Sequence, residues 1–128
     1  MDFSTIMNVL IVLLAIWFVY TRFAPIKGLR NMSSKDFQQS LNQRGAQLVI
    51  DVREPFEYNQ GFIPGAKNIP LSQLKSRINE LSKDKDIFLY CRSGMRSKQA
   101  AKLLSKQGFS HLSHLQGGIS AWTGKVSK

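Results

Sequence analysis

The single cysteine of the chain lies in a segment whose residue types suit sulfur or anion chemistry. Residues 91–97 read Cys-Arg-Ser-Gly-Met-Arg-Ser, so one arginine adjoins Cys91 and a second, Arg96, follows five positions later. The apolar run 87–90 before the cysteine predicts a buried strand, and residues 98–107 predict a helix. Backbone N–H groups at a strand-to-helix turn favour a thiolate and bind anions. We therefore predict a nucleophilic thiolate in an anion-binding loop.

Each neighbour of Cys91 has a place in such a loop. Gly94 lets the backbone turn without a side chain in the way. Arg92 and Arg96 supply positive charge, and an arginine can hold a sulfate-like group through two N–H bonds. The remaining residues of the predicted substrate-binding loop are Ser93, Met95 and Ser97, the last of which opens the helix. The alternative is that Cys91 is an inert, buried core residue at the end of a strand.

Alternating strands and helices surround this loop. The patterns predict strands over residues 47–52, 67–70 and 86–90, and a weaker strand over 111–115. They predict helices over 34–43, over about ten residues from Leu71, and over 98–107, with Gly45 ending the first and Gly108 the last. Residues 54–68, which contain two prolines and two glycines, are expected to form a loop. This alternation predicts an α/β fold with a parallel sheet covered by helices on both faces.

Two further charged residues are expected near the cysteine. Asp51 and Arg53 follow a predicted buried strand, as Cys91 does, and the carboxyl ends of parallel strands share one edge of the sheet. They could support the chemistry, or they could form an ion pair that fixes the strand end. We favour the ion pair, because charged groups near a protein interior need partners.

The charge and the scarcity of cysteine limit the partners and cofactors. The formal charge is +10, from 18 basic and 8 acidic residues, which suits nucleic acid, an anionic membrane or an anionic substrate. The basic residues are scattered, so we expect no nucleic-acid binding. One cysteine excludes an internal disulfide or a multi-cysteine metal site. His111 and His114 lack partner ligands and are expected at the surface or at a strand edge, so we predict no metal and no cofactor.

The amino-terminal segment, residues 3–24, is long and apolar enough to cross a bilayer as a helix. The alternative, a cleaved signal peptide, is disfavoured because Asp2 precedes the run and no Ala-x-Ala site follows it. Arg22, Lys27 and Arg30 lie just after the run, so the positive-inside rule predicts an outside N-terminus and a cytoplasmic domain. We expect a single-pass protein of the cell membrane, with a linker at 25–32 and one domain at 33–126.

Four segments together resemble the rhodanese-like family of sulfurtransferase domains. They are 51–54 (Asp-Val-Arg-Glu), 61–70 (Gly-Phe-Ile-Pro-Gly-Ala-Lys-Asn-Ile-Pro), 91–97, and 117–122 (Gly-Gly-Ile-Ser-Ala-Trp). The resemblance implies a five-stranded, mainly parallel sheet flanked by helices. It also implies that Cys91 takes sulfane sulfur as a persulfide and passes it to an acceptor. Phe62 departs from the pattern, since family members often have His there; Phe56, Tyr58 and Phe62 are expected to line the pocket mouth or to cover the sheet edge.

The resemblance implies a small sulfur-containing anion such as thiosulfate as donor, and a thiol or a protein as acceptor. A second interpretation is a membrane-tethered sulfur carrier or protein-docking module with little activity on free thiosulfate. A phosphatase or arsenate reductase is disfavoured, because four residues separate Cys91 from Arg96 where cysteine phosphatases have five, and because the chain has no second, resolving cysteine.

Overall fold

The computed structural model describes residues 2–43 and 47–128. Five helices and five strands alternate through the described chain. The helices are α1 (Phe3–Phe23), α2 (Ser34–Asn42), α3 (Pro55–Gln60), α4 (Leu71–Leu74) and α5 (Met95–Lys106). The strands are β1 (Leu29–Met32), β2 (Gln47–Asp51), β3 (Lys67–Asn68), β4 (Asp86–Tyr90) and β5 (Leu112–Leu115), and two 3₁₀ turns lie at Ile78–Glu80 and Ile119–Ala121.

The strands form one parallel sheet in the order β1-β5-β4-β2-β3. The predicted α/β fold with a parallel sheet flanked by helices is therefore confirmed. β4 lies at the centre. Its residue Phe88 is opposite Val49 of β2 on one side and Ser113 of β5 on the other. Two apolar clusters cover the two faces of the sheet. Because side chains alternate along β4, Leu89 and Cys91 lie in the same cluster as the buried residues of α5, and Phe88 lies in the other.

The predicted linker over residues 25–32 is too long. Its last four residues form β1, the edge strand that pairs with β5 from Leu29–Leu112 to Met32–Leu115. Leu29 and Met32 are half-buried, and each packs against one of the two apolar clusters, so the strand adds apolar surface to both faces of the sheet. No alternating apolar pattern predicts this strand, because two polar residues, Arg30 and Asn31, separate Leu29 from Met32.

The predicted helix at 34–43 is observed as α2. The side chain of Ser33 caps it by accepting a hydrogen bond from the backbone N–H of Asp36 at 3.2 Å. Phe37 is its buried anchor. Gly45, which was predicted to end the helix, lies outside the described residues.

The prediction of a loop over residues 54–68 is wrong for its first part, where α3 forms. Glu54 and Glu57 form a capping box, in which the backbone N–H of Glu54 donates to the Glu57 carboxylate at 3.1 Å. Pro55 occupies the first helical position, where a missing N–H costs nothing. The proline that suggested a loop therefore begins a short helix.

The predicted helix of about ten residues from Leu71 is also wrong in its length. α4 is a single turn, and a 3₁₀ turn at Ile78–Glu80 follows after a break at Arg77, whose φ of −111° and ψ of 17° leave the helical region. Leu74 and Leu81 are nevertheless buried, so the apolar spacing is satisfied by two short turns in place of one helix.

The strands and helix around the cysteine lie close to their predicted positions. β4 has the predicted bounds, whereas β2 ends at Asp51 and β5 begins at Leu112, each one residue inside its prediction. α5 begins three residues earlier than predicted, at Met95, and therefore includes part of the predicted loop.

Helix α1 differs from the others in its surroundings. All of its residues are exposed, and an 18-residue stretch within it has a mean hydropathy of 2.2. It is long and apolar enough to cross a membrane by length and composition. Its exposure argues against a core helix, since an apolar helix of that kind packs inside the protein.

Candidate active site

The thiol of Cys91 lies at the carboxyl end of β4, directed into the first turn of α5. The residue is 1% exposed. Its Sγ accepts hydrogen bonds from the backbone N–H groups of Gly94, at 3.0 Å, and Ser97, at 3.4 Å. The hydroxyl of Ser97 lies 3.7 Å from the same sulfur. Donors of this kind stabilise negative charge on sulfur, as a nucleophilic thiolate requires.

Gly94 gives the loop its shape. Its φ of 106° lies in the left-handed region, which a side chain would strain, and the residue is the N-cap of α5. The turn at Gly94 places the amino end of a twelve-residue helix beside the sulfur. The positive end of that helix adds to the attraction for an anion.

The rest of the predicted loop is open to solvent. Arg92, Ser93 and Met95 are exposed, and Met95 retains 68% of its accessible surface. Within the described part of the chain, Arg92 has no ion-pair partner. Its exposed side chain is therefore available to an anionic ligand.

Arg96 is held differently. Its guanidinium donates to both oxygens of the Glu57 carboxylate, with Nη1–Oε1 at 2.6 Å and Nη2–Oε2 at 2.9 Å. The hydrogen bonds from Arg96 hold the pKa of Glu57 at about 2, well below its ordinary value, and the same contact raises the pKa of Arg96. The sequence did not anticipate this partner, because Glu57 lies on α3, in the segment predicted to be a loop.

The segment that follows Gly118 holds the backbone of the Cys91 loop through two hydrogen bonds. The backbone N–H of Ile119 donates to the Cys91 carbonyl at 2.9 Å, and that of Ser120 donates to the Arg92 carbonyl at 3.1 Å. Gly118 has a φ of 62°, and a Cβ there would lie 2.3 Å from the Arg92 carbonyl oxygen. This turn therefore fixes the backbone at the start of the Cys91 loop. Trp122 anchors it edge-on against Phe37, with ring centroids 5.9 Å apart.

Asp51 and Arg53 form a buried ion pair, with Arg53 Nη2 2.6 Å from Asp51 Oδ2. The same nitrogen donates to the Gly61 carbonyl at 2.6 Å, and the guanidinium lies 5.6 Å from the centre of the Tyr90 ring. Burial raises the pKa of the Tyr90 hydroxyl, and the Asp51 charge raises it further. The pair ties the end of β2 to the segment after α3, which is the fixing role favoured from the sequence.

His114 was expected at the surface or at a strand edge, but it lies in the interior, 5% exposed, on β5 between β1 and β4. Its Nδ1 lies 3.1 Å from the Ser97 hydroxyl, and its Nε2 lies 2.6 Å from the Asn31 side-chain oxygen. Burial lowers the pKa of His114, and the nearby charge of Lys98 lowers it further. Sequence reasoning missed this contact because Asn31 lies on β1, which was assigned to the linker. His111, in contrast, is exposed.

The three aromatic residues near Gly61, which are Phe56, Tyr58 and Phe62, do not form one cluster. Tyr58 and Phe62 stack with ring centroids 4.2 Å apart, and the Tyr58 hydroxyl donates to the Ala66 carbonyl at 2.8 Å. Phe62 also exchanges two backbone hydrogen bonds with Ser127. Phe56 is 66% exposed. Tyr58 and Phe62 thus cover the chain between α3 and β3, whereas Phe56 remains exposed.

Over residues 2–43 and 47–128, no group of three or more His, Cys, Asp or Glu side chains is placed to hold a metal ion. The polar groups that converge at the carboxyl edge of the sheet are instead those of the Cys91 loop. Their chemistry is that of a sulfur nucleophile next to anion-binding donors.

The comparison with protein families decides the assignment of this domain. The family model for the rhodanese-like domain matches residues 33–125. The chain belongs to the rhodanese-like domain family. In this rhodanese-like domain, the matched segment contains the whole Cys91 loop, Glu57 and His114, whereas α1 and β1 precede it.

Proteins named for sulfur transfer are similar to this chain. A protein named sulfurtransferase from Allochromatium vinosum is 44% identical over 88 residues, which cover 66% of this chain and 82% of that protein. A putative sulfur carrier protein, YrkF, from Bacillus subtilis is 38% identical over 95 residues, which cover 74% of this chain and 51% of that protein.

Solved structures show the same fold. A rhodanese-related protein from Thermoplasma volcanium superimposes with a TM-score of 0.70 at 34% identity. The superposition covers 77% of this chain and 97% of that one. The agreement in fold extends over the rhodanese-like domain and thus supports the sheet topology described above.

Proposed function

We propose that this protein is a rhodanese-type sulfurtransferase that moves sulfane sulfur from a donor such as thiosulfate to a thiophilic acceptor through a persulfide on Cys91. The observation that carries the proposal is the placement of the Cys91 sulfur, which accepts N–H bonds from Gly94 and Ser97 at the amino end of α5. The sulfurtransferase and sulfur-carrier relatives support the same reaction class.

The proposed first step loads sulfur. The Cys91 thiolate attacks the outer sulfur of thiosulfate, a sulfur–sulfur bond to Cys91 forms, and the original sulfur–sulfur bond breaks as sulfite leaves with its electron pair. The product is a Cys91 persulfide with a negative outer sulfur. The positive end of α5 offsets that charge.

The proposed second step returns the cysteine to its starting state. An acceptor nucleophile, such as a thiolate, attacks the outer sulfur, and the bond between that sulfur and Cys91 breaks. Cys91 leaves as a thiolate, which the N–H groups of Gly94 and Ser97 again stabilise. The cycle involves no net oxidation of the protein, so its residues suffice for the sulfur transfer itself.

Intact-mass measurement after incubation with thiosulfate tests the proposal. We expect the wild-type chain to gain one sulfur atom, and Cys91→Ser to gain none. The added sulfur should be lost when a small thiol is supplied. If the wild type gains no sulfur from thiosulfate or from any other sulfane donor, the proposal is wrong.

The second candidate function is a sulfur carrier that receives and delivers sulfur through protein partners. The carrier name of one relative and the exposed side chains of Phe56 and Met95 support this candidate. A carrier would accept one sulfur atom but turn over free thiosulfate and cyanide slowly. Steady-state thiocyanate formation by the wild type therefore separates the two functions.

We also propose that α1 anchors the domain in the cell membrane, with the N-terminus outside and the domain in the cytoplasm. Support comes from the length, hydropathy and exposure of α1 and from Arg22 and Lys27 after its apolar run. The end of α1 borders an open cleft of ≈ 640 Å³ that three lysines of α5 also line, at positions 98, 102 and 106. Basic groups in that position suit the anionic surface of an inner leaflet.

The orientation is tested with Asp2→Cys and Lys128→Cys, each made in a Cys91→Ser background. A membrane-impermeant thiol reagent is expected to label the first variant on intact cells. It should label the second only after the cells are permeabilised. Labelling of the second variant on intact cells, without labelling of the first, would reverse the proposed topology.

A further inference from the structure

A continuous row of polar side chains leads from the reactive sulfur to the edge of the sheet. The Cys91 Sγ and the Ser97 Oγ are 3.7 Å apart, and the Ser97 Oγ and the His114 Nδ1 are 3.1 Å apart. The other ring nitrogen of His114 lies 2.6 Å from the Asn31 Oδ1. Ser97 is 0% exposed and His114 is 5% exposed. The row thus crosses α5, β5 and β1 almost entirely inside the protein.

Two arrangements of protons satisfy every polar atom in this row. When Cys91 is a thiol, its S–H donates to Ser97, the Ser97 hydroxyl donates to His114 Nδ1, and His114 Nε2–H donates to Asn31. When Cys91 is a thiolate, both ring nitrogens of His114 carry protons and donate, one to Ser97 and one to Asn31. The Ser97 hydroxyl then donates to the sulfur or to the Gly94 carbonyl, 3.1 Å away. The side-chain oxygen of Asn31 accepts in both arrangements.

We propose that His114 is a positioning residue that takes up the proton of Cys91 through the hydroxyl of Ser97, so that the thiolate and the His114 imidazolium form together. The proposal deepens the sulfurtransferase function and rests on it for its purpose. Cys91 gives its proton to Ser97 Oγ as Ser97 gives its own to His114 Nδ1, so Ser97 ends unchanged and no electron is transferred to or from the protein.

The surroundings of His114 support a neutral ring that waits for this proton. Burial and the charge of Lys98 on α5 lower the pKa of His114, so the ring is uncharged before Cys91 ionises. From β4 the group that faces it across Ser97 is the titratable thiol of Cys91, and from β1 it is the uncharged amide of Asn31. A thiolate is therefore the negative charge that favours the imidazolium.

The pH dependence of Cys91 alkylation by iodoacetamide tests the proposal on the full chain in a mild detergent. Cys91 is the single cysteine, so the rate reports its thiolate alone. Compared with wild type, we expect the midpoint of the rate profile to rise by about 1 pH unit in His114→Gln and in Ser97→Ala, a shift that loss of an opposite charge nearby produces. The rate at high pH should be unchanged in His114→Gln. His111→Gln is the matched control, and its profile should superimpose on that of the wild type.

The double variant distinguishes a proton route from a loss of structure. If His114 acts through Ser97, the shift in the double variant should be no larger than in either single variant, because both changes interrupt the same path. Additive shifts would overturn the proposal. A His114→Gln profile that superimposes on wild type would also overturn it.

A second measurement leaves His114 and Ser97 intact and so avoids the risk of misfolded variants. NMR titration of the His114 ring nitrogens should show a lower pKa in Cys91→Ser than in wild type, because coupling between two sites is reciprocal. An unchanged His114 titration would contradict the proposal. Failure of the sulfurtransferase function would appear elsewhere, as a wild type that gains no sulfur by mass, whereas the alkylation profile decides the role of His114 alone.

Discussion

The guanidinium of Arg96 and the carboxylate of Glu57 form a two-point ion pair that joins α5 to α3, with contacts of 2.6 and 2.9 Å. The pair commits the second arginine of the Cys91 loop to a protein carboxylate. The exposed guanidinium of Arg92 therefore remains as the loop arginine available to a ligand. The two arginines, which looked equivalent in the sequence, have different tasks.

Glu57→Gln should lower the free energy of unfolding at neutral pH. It should also make that free energy depend less on pH in the acid range. The folded pKa of Glu57 is about 2 against an ordinary value of 4.5, so the native state binds fewer protons than the unfolded state between these values. The stabilisation is complete above about pH 4.5 and is lost as the pH falls through about 2. Because the pair is partly exposed, we expect a loss of about 1 kcal/mol at pH 7.

Denaturant unfolding of wild type and Glu57→Gln at several pH values between 2 and 7 measures this effect. The two unfolding free energies should converge as the pH is lowered through the window. A constant difference from pH 7 to pH 2 would show that the ion pair is not the source of the effect.

Arg92→Gln should weaken donor binding with little effect on the chemical step. The Arg92 side chain is exposed beside the loop, where it can contact the sulfonate end of thiosulfate. We expect KM for thiosulfate to rise about tenfold, which corresponds to about 1.4 kcal/mol, with kcat nearly unchanged. Steady-state kinetics of thiocyanate formation provide the measurement.

Lys85→Gln is the matched control for Arg92→Gln. Lys85 is also exposed. It precedes β4 and Cys91 follows it, so the two residues lie at opposite ends of that strand. Both changes remove one positive charge. An equal rise in KM for the two variants would attribute the effect to net charge and not to a contact in the loop.

Gly118→Ala should disrupt both the turn that contains Gly118 and the neighbouring Cys91 loop. The new methyl group would lie 2.3 Å from the Arg92 carbonyl oxygen and 2.5 Å from that of Cys91, so the loop backbone must move. We expect a clear loss of persulfide formation, together with destabilisation beyond the roughly 1 kcal/mol of a strained φ alone.

Gly65→Ala isolates the backbone strain. Gly65 also has a positive φ, 86°, but an added Cβ would meet nothing within 4 Å. This variant should lose some thermal stability yet retain persulfide formation by intact mass. Equal activity in Gly65→Ala and Gly118→Ala would mean that the contact between Gly118 and the loop is unimportant.

Asp51→Asn should destabilise the domain more than it affects chemistry. Arg53 would remain as a buried charge without its carboxylate partner, and breaking such a pair costs about 3 kcal/mol. We expect a lower midpoint in thermal unfolding but full sulfur loading at a temperature where the variant is folded. Loss of loading in the folded variant would instead assign Asp51 a part in catalysis.

The exposed pair formed by Lys67 and Glu80 provides the comparison for Asp51→Asn. Lys67→Gln breaks an ion pair of the same length, 2.6 Å, at the protein surface, and Glu80 keeps its pair with Arg77. Water replaces the lost contact there, so the loss of stability should be much smaller. Similar losses in the two variants would contradict the importance of burial.

The short loop should exclude phosphatase chemistry. Cys91 and Arg96 enclose four residues, and Arg96 is already engaged by Glu57. We expect no turnover of an aryl phosphate by the wild type. Appreciable turnover that is abolished by Cys91→Ala would show that the loop accepts a phosphoryl group.

The sequence predicted best where a single chemical pattern determines the structure. The apolar run before Cys91 predicts β4, because a strand in a parallel sheet is buried on both faces and therefore consists of apolar residues. Gly94 predicts the turn into α5 because its left-handed φ suits glycine. These local signals suffice to place the thiol at the edge of the sheet.

The sequence failed where a partner from a distant element determines the structure. Asn31 and Glu57 looked like residues of a linker and a loop, yet they contact His114 and Arg96 across 83 and 39 residues. Leu29 and Met32 form a strand because β5 offers them a partner, not because of a local pattern. Long-range pairings of this kind leave no periodic trace in one sequence.

The pairing of β1 with β5 has a consequence for synthesis. Leu29 is made 83 residues before Leu112, its partner in the sheet, so the edge strand next to α1 stays unpaired until most of the chain has left the ribosome. Contacts so distant in sequence close slowly. The hydrogen bond between Asn31 and His114 depends on that closure. The polar row behind Cys91 is thus complete only after β1 has paired with β5. A complete row therefore indicates that the whole sheet has formed.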